Sequence, residues 1–164
     1  VYSYRGLHDM AIARAEEAVN LNSNHAFAAY SLGFFLYRAK RFEEAIVQLD
    51  RAIRLSPRDS FSAGFYGIRG ICLFCLGRYE EAAEWTLRSC DAPNPRPNLP
   101  PWAIASLQKI GRYQEAQALL ANYQRQMPGA GLNFIRKQTM EFYPEAVGSL
   151  DEFLDALRDA GMPE

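Results

Sequence analysis

Cys72 and Cys75 have the Cys-x-x-Cys spacing found in redox motifs and in one half of many zinc sites. A zinc site needs a second ligand pair, and none follows at suitable spacing. Both cysteines lie in the apolar run 71–76, which is typical of a buried helix, so we interpret them as buried thiols. Cys90 is a third cysteine. Because the three cysteines show no disulfide framework, they favour a reducing compartment.

The other residues able to do chemistry form no converging set. The two histidines, His8 and His25, are interpreted as structural. The paired glutamates at 43–44 and 80–81 point about 100° apart on a helix, and the sequence lacks a glycine-rich phosphate loop. We therefore expect no catalytic residues, no metal and no cofactor in this chain.

Charge and hydropathy exclude two classes of partner. The net charge of −1 and pI near 6.2 give no basic footprint for nucleic acid or for an anionic membrane surface. The sequence contains no apolar run of 18 residues, and its first residues do not show the pattern of a secretory leader, so we expect no membrane targeting of this segment. The predicted location is the cytoplasm.

Three short stretches repeat one another, Arg-Phe-Glu-Glu-Ala at 41–45, Arg-Tyr-Glu-Glu-Ala at 78–82 and Arg-Tyr-Gln-Glu-Ala at 112–116, with a weaker echo at 7–11. The closing alanines are 34, 37 and 34 residues apart. A period of about 34 residues is typical of helix-turn-helix units that bury their apolar faces by stacking. The chain is predicted to be a helical repeat array.

The second unit, 26–59, resembles the tetratricopeptide repeat. Leu32, Gly33 and Leu36 occupy the packing positions of that family's first helix. The small, large, small and terminating positions of its second helix are matched by Ala45, Leu49, Ala52 and Pro57.

The resemblance implies an all-α, antiparallel helix-pair solenoid, a right-handed superhelix, closed by a C-terminal capping helix. We predict an array over 1–128, made of a partial first repeat at 1–25 and units at 26–59, 60–96 and 97–130, followed by capping helices over 129–164. Val1 would then lie inside a helix, as in a fragment of a longer protein. Apolar spacing predicts helices at 8–21, 25–39, 42–55, 61–76, 79–90, 101–110, 113–127, 133–141 and 149–160.

Two segments depart from the repeat. Five prolines between 93 and 101 predict an extended connector, and the alternative is a polyproline ligand. Ser149 and Glu152 have the spacing of a capping box, and Gly161 is predicted to be the C-cap of the helix that follows. Gly64, Gly67 and Gly70, at i+3 spacing, are interpreted as sites of close helix approach.

The family binds partners on a groove built from its first helices. Transferred to this sequence, the groove positions are Phe27, Tyr30, Phe34 and Tyr37, then Gly64, Gly67, Ile71 and Phe74, then Asn98, Pro101, Ala105 and Gln108. We predict Phe27, Tyr30, Phe34, Tyr37, Ile71 and Phe74 as the partner-binding groove for a protein or peptide. The lack of Lys and Asn at the family's carboxylate-clamp positions disfavours a chaperone adaptor. Burial of this apolar strip by the chain's own helices, or self-association through it, stays an alternative.

The ending Leu157-Arg158-Asp159-Ala160-Gly161-Met162-Pro163 is similar to the C-terminus of bacterial multidomain signalling proteins. The resemblance implies a non-catalytic interaction or scaffolding module in the regulatory region of such a protein. The alternatives are an accessory domain of an adenylate or guanylate cyclase whose catalytic domain lies upstream, and the sensor tail of a winged-helix transcriptional regulator.

Overall fold

The computed structural model describes residues 4–142 and 149–164, with side chains for 9–141 and 149–164. All regular structure in these residues is α-helical, which confirms the predicted fold class. The helices are α1 Tyr4–Leu21, α2 Ala26–Arg38, α3 Phe42–Leu55, α4 Ser62–Cys75, α5 Tyr79–Asp91, α6 Pro100–Lys109, α7 Tyr113–Gln126, α8 Leu132–Phe142 and α9 Leu150–Asp159.

Helices α2 to α7 form three consecutive antiparallel pairs. Each second helix is amphipathic, and in α3 Ala45, Leu49 and Ala52 are fully buried while Glu43 and Glu44 lie exposed in the first turn. Acidic side chains there interact favourably with the positive end of the helix dipole. Helices α3 and α5 pack against their own first helix and against the first helix of the next pair, whereas α7 packs against its own first helix, α6.

The turns inside the three pairs share one backbone geometry. After α2, α4 and α6, the residues Lys40, Gly77 and Gly111 have positive φ angles of 60°, 73° and 77°. The following residue donates its backbone N–H to a carbonyl five residues earlier, as Arg78 does to Leu73. This is the Schellman arrangement, in which glycine avoids the steric cost of a left-handed backbone. In the first of the three turns the left-handed position is occupied by Lys40, so this turn includes the steric cost that glycine avoids in the other two.

Close approach between paired helices depends on glycine at one side. A Cβ atom placed on Gly70 would lie 2.5 Å from Thr86 Cγ2 and 3.1 Å from its backbone nitrogen. The prediction of close helix approach is therefore confirmed for Gly70, which faces α5. Gly67 faces Leu99 of the connector and also approaches α5, because a Cβ there would lie 3.1 Å from Ser89 Oγ, whereas Gly64 faces the ring of Phe61.

The proline-rich connector between α5 and α6 is anchored by one side chain. Leu99 is 1% exposed and inserts against Gly67 of α4, where a Cβ would lie 2.6 Å from its Cδ1 atom. Two prolines, Pro100 and Pro101, open α6, where missing backbone N–H groups leave no helical hydrogen bond unmade. The connector is thus a packed part of the face formed by α4.

The termini differ from the prediction at the start of α1 and at the capping box. Helix α1 begins at Tyr4, so Gly6, which aligns with the turn glycines Gly77 and Gly111, lies inside a helix. The position of Val1 and the side chain of His8 lie outside the described residues. The capping-box prediction is wrong, because Ser149 makes no side-chain cap hydrogen bond and Glu152 is bound elsewhere.

A partly buried ion pair joins the first two of these pairs. Arg69 of α4 is 9% exposed and donates to Asp50 of α3, with Nε 2.6 Å from Oδ1. The guanidinium also lies 4.0 Å from the ring centroid of Trp85 on α5. One cation of α4 therefore contacts both α3 and α5.

We expect Asp50→Ala to lower the free energy of unfolding by about 1–3 kcal/mol, because Arg69 would keep its burial and lose its carboxylate. Glu17→Ala, which removes the partner of Arg14 on exposed α1, is the control and should cost less than about 0.5 kcal/mol. Urea denaturation followed by circular dichroism measures both. Equal effects of the two substitutions on the free energy of unfolding would contradict a stabilising role of the Arg69–Asp50 ion pair.

Lys40→Gly should raise the free energy of unfolding by about 0.5–1 kcal/mol, since glycine removes the left-handed strain at φ 60°. The reciprocal change, Gly77→Ala, should destabilise the protein by a similar amount. Thermal denaturation of both variants provides the measurement, and a Lys40→Gly variant no more stable than the parent chain would argue against strain at this turn.

Candidate functional site

The first helices α2, α4 and α6 form one face of the solenoid, which we call the first-helix face. Helix α9 packs on α6 at one end of this face. Its Phe153 is fully buried and stacks on Trp102 of α6, with ring centroids 4.0 Å apart and an interplanar angle of 16°. The same ring meets Phe74 of α4 edge-on at 6.1 Å. The chain's own tail therefore covers this end of the face.

We call the place where α9 packs on α6 and α4 the α9 seat. An ionic contact at the edge of this seat holds α9 in place. Lys109 Nζ and the hydroxyl of Tyr79 each lie 2.5 Å from Oε1 of Glu152, and both donate to it. Lys109 also lies 4.8 Å from the ring centroid of Tyr79. The hydrogen bonds from Lys109 and Tyr79 lower the pKa of Glu152, while burial and the Glu152 hydrogen bond raise the pKa of Tyr79 to about 12.

The end of α9 is closed by its predicted C-cap. Gly161 has φ 98°, and Met162 donates its backbone N–H to Leu157. The carbonyl of Pro163 then accepts a 2.7 Å hydrogen bond from the backbone N–H of Leu132 at the start of α8. These contacts give the Ala-Gly-x-Pro ending a structural role.

The other end of the first-helix face is an open cleft of about 450 Å³, called the α2–α4 cleft. It lies between α2, α4, the connector, the end of α7 and α8. Most of its lining is apolar, and its charged lining residue is Arg96. The lining residues are Tyr30, Phe34, Gly64, Ile68, Arg96, Pro97, Asn98, Leu99, Met127 and Gln138.

An aromatic cluster forms one wall of the α2–α4 cleft. Tyr30 packs against Phe61 and Phe65, in each case with ring centroids 5.1 Å apart. Phe27 lies 5.7 Å from Phe61 in an edge-on contact and is 51% exposed. Tyr30 is 7% exposed, and burial raises the pKa of its hydroxyl. The wall is therefore a fixed apolar surface with one ring open to solvent.

Arg96 brings a positive charge to this apolar cleft. It is half-buried, and its guanidinium carbon lies 4.3 Å from the ring centroid of Phe61. Within the described residues no carboxylate forms an ion pair with it. Asn98 and Gln138 add polar groups to the same cleft.

The structure divides the predicted groove residues into two groups. Tyr30 and Phe34 line the α2–α4 cleft, and Phe27 lies beside it in ring contact with Tyr30. Tyr37, Ile71 and Phe74 are at most 1% exposed in the core. Of the other transferred positions, Asn98 lines the cleft, Pro101 and Ala105 are buried, and Gln108 lies beside α9.

Sequence reasoning missed Arg96, Leu99, Met127 and Gln138, which also line the cleft. Arg96 and Leu99 lie in the connector, Met127 at the end of α7 and Gln138 in α8, and the repeat register assigns no groove position to any of them. The one available signal was an arginine between two prolines at 95 and 97.

The cysteines and His25 take structural positions. Burial raises the pKa of Cys72 well above its ordinary value, and that of Cys75 to about 11 and of Cys90 to about 12. Among described residues, no group of three His, Cys, Asp or Glu side chains could hold a metal ion. His25 is the N-cap of α2, where its Nδ1 accepts from the backbone N–H of Ala28 at 3.1 Å.

Within the part of the chain described, every helix is too short or too polar to cross a bilayer.

The stacked helix pairs define the class of protein as a helical-repeat solenoid. Residues 26–59 match the family model of the tetratricopeptide repeat, the same unit that carries the resemblance in the sequence. The comparison with curated proteins found no significant match.

Solved structures share this fold over most of the chain. The crystal structure of MamA has a TM-score of 0.69 at 19% identity, covering 95% of this chain and 88% of that one. YrrB, described as a TPR protein with an unusual peptide-binding site, has a TM-score of 0.67 at 20% identity, covering 96% and 81%. PilF of Pseudomonas aeruginosa has a TM-score of 0.64 at 18% identity, covering 88% and 71%. The fold is thus a solenoid of tetratricopeptide type.

The Glu152 contact predicts a pH dependence of stability. Because folding lowers the pKa of this carboxyl below its ordinary value of 4.5, its contribution is present above that value and is lost as the pH falls through the folded pKa. Glu152→Gln should therefore destabilise the protein at pH 7 and have a smaller effect at pH 3.

Urea denaturation at both pH values measures the difference, with Glu16→Gln on exposed α1 as the control. A Glu152→Gln effect that is equal at pH 7 and pH 3 would show that the charge of Glu152 does not hold α9.

Proposed function

We propose that this chain is a non-catalytic protein-interaction module that binds a peptide or a segment of a partner protein in the α2–α4 cleft. The observation that carries the proposal is an open apolar cleft of about 450 Å³ on the same face that α9 covers at its other end. Binding sites of this kind are concave, mostly apolar and supplied with a few placed polar groups. Solenoids of this fold class use such surfaces for partners.

The composition of the cleft supports recognition through side-chain anchors. Phe27 and Phe34 offer partly exposed rings, and Ile68 and Leu99 supply aliphatic floor. Aromatic rings provide large contact area at a small cost in conformational entropy, and they dominate the energetics of many interfaces. The peptide-binding site named for YrrB is consistent with a peptide ligand, although the likeness at 20% identity concerns the fold.

We further propose that the module serves the regulatory region of a larger signalling protein. The support is the ending at 157–163 and its similarity to bacterial signalling proteins. Because Gly161 and Pro163 close α9 and contact α8, structural demands account for part of that motif. The cyclase-accessory and transcription-regulator alternatives rest on the same motif.

Selection of a displayed 12-residue peptide library against the chain tests the binding function. Selected peptides, labelled with fluorescein, should bind the parent chain in fluorescence polarisation and bind Phe34→Ala at least about tenfold more weakly, which corresponds to roughly 1.4 kcal/mol. Val47→Ala is the matched control, because Val47 is an exposed apolar residue of α3 outside the cleft.

Peptides that bind Phe34→Ala as tightly as the parent chain would contradict the assignment of the cleft. Light scattering at several concentrations is run on the same samples. A dimer that Phe34→Ala dissociates would show that the cleft joins two copies of the chain and would overturn the proposal of a separate partner.

A further inference from the structure

The chain already binds one helix, α9, on its first-helix face. The contacts that bind α9 define a recognition pattern. Phe153 of α9 enters an aromatic pocket made by Trp102 and Phe74. The neighbouring carboxylate, Glu152, accepts from Lys109, whose ammonium lies 4.8 Å from the ring centroid of Tyr79. The seat therefore consists of an aromatic pocket, a cation beside an aromatic ring, and an acid from the bound helix that completes the group.

The α2–α4 cleft repeats the protein's half of this arrangement. Its aromatic wall contains Tyr30 and Phe34, and Arg96 lies 4.3 Å from the ring centroid of Phe61. The carboxylate is the missing element, since Arg96 forms no ion pair with any acid in the described part of the chain. A half-buried cation in an apolar cleft is stabilised by an anion that arrives with the ligand.

We propose that the occupant of the α2–α4 cleft is an acidic amphipathic helix of a partner protein, which places an apolar side chain against Tyr30 and Phe34 and an adjacent carboxylate on Arg96. This inference rests on the proposed function and names its partner class. Helix α9 shows the required composition, with buried Phe153, Leu154 and Leu157 on one side and exposed acids on the other. Apolar anchors at i, i+3 and i+4 are the usual mode of helix recognition in a groove.

Charge and connectivity select this occupant over two others. A basic helix would bring like charge to Arg96 inside an apolar cleft, where repulsion and desolvation both oppose binding. The tail of a second copy would have to leave its own seat, which holds it intramolecularly at high effective concentration. A separate acidic segment has neither disadvantage.

The test uses two fluorescein-labelled peptides. The first has the sequence of residues 149–164, and the second carries Lys in place of Asp151, Glu152, Asp155 and Asp159. Both are titrated against the full chain and against Arg96→Glu, Arg96→Lys, Phe34→Ala and Lys109→Glu. Arg54→Glu, an exposed cation of α3 outside the cleft, is the matched control, and circular dichroism verifies that each variant is folded.

We expect the acidic peptide to bind the parent chain, Arg54→Glu and Arg96→Lys within a factor of three of one another, and to bind Arg96→Glu and Phe34→Ala at least tenfold more weakly. The lysine peptide should prefer Arg96→Glu to the parent chain. This exchange of charge preference is the result that a purely structural role of Arg96 would not produce.

Four results would overturn the inference. Loss of binding in Lys109→Glu but not in Arg96→Glu would mean that the peptide replaces α9 in its own seat. Equal or tighter binding of the lysine peptide to the parent chain, with loss in Phe34→Ala, would leave the cleft as a binding site and remove the acidic partner. If neither of the two peptides binds but library-selected peptides do, the cleft again stays a binding site and the acidic partner is removed. If no peptide of either kind binds, the proposed function is removed as well.

Discussion

The fold depends on one constraint, which is that a single pair of helices cannot bury its own apolar face. Helices α3 and α5 each pack on their own first helix and on the first helix of the next pair, and glycine at Gly33 and Gly70 lets the backbones approach closely. The Arg69–Asp50 pair and Trp85 add a polar contact across two pairs. Stability is thus the sum of repeated contacts between neighbouring helices. An apolar helix face at the end of the array has no such neighbour, and it is either covered by another segment of the chain or left open to solvent.

The two ends of the first-helix face resolve this constraint differently. At α6 the tail supplies the missing neighbour, with Phe153 stacked on Trp102 and Glu152 bound by Lys109. At α2 and α4 the connector supplies part of the cover through Leu99, and the α2–α4 cleft stays open beside it. The proline-rich connector affects both ends of this face. It packs on α4, and α6 begins only after it, at Pro100. The result is an apolar surface next to a half-buried cation, and the proposed binding rests on it.

The positions of the helices and turns could be read from the sequence because they depend on local contacts. The 34-residue period, the 3.6-residue apolar spacing and the turn residues Gly77 and Gly111 act within one unit. Local patterns also misled at two places. The spacing of Ser149 and Glu152 fits a capping box, yet Glu152 binds Lys109 and Tyr79, which are 43 and 73 residues away in the sequence. The apolar spacing predicts that the first helix begins at residue 8, but α1 begins at Tyr4.

The sequence by itself determined the all-helical repeat, the burial of Cys72 and the connector, since residue type and spacing decide these within a few turns of helix. Only the tertiary structure decided which part of the first-helix face is open. Tyr30 and Ile71 both occupy groove positions of the repeat, but Ile71 is enclosed while Tyr30 lines the cleft. The same holds for Arg96, whose place beside Phe61 follows from how the connector crosses α4. The physical reason is that α9 and the connector pack across several units, and contacts between distant segments leave no periodic signal in the sequence.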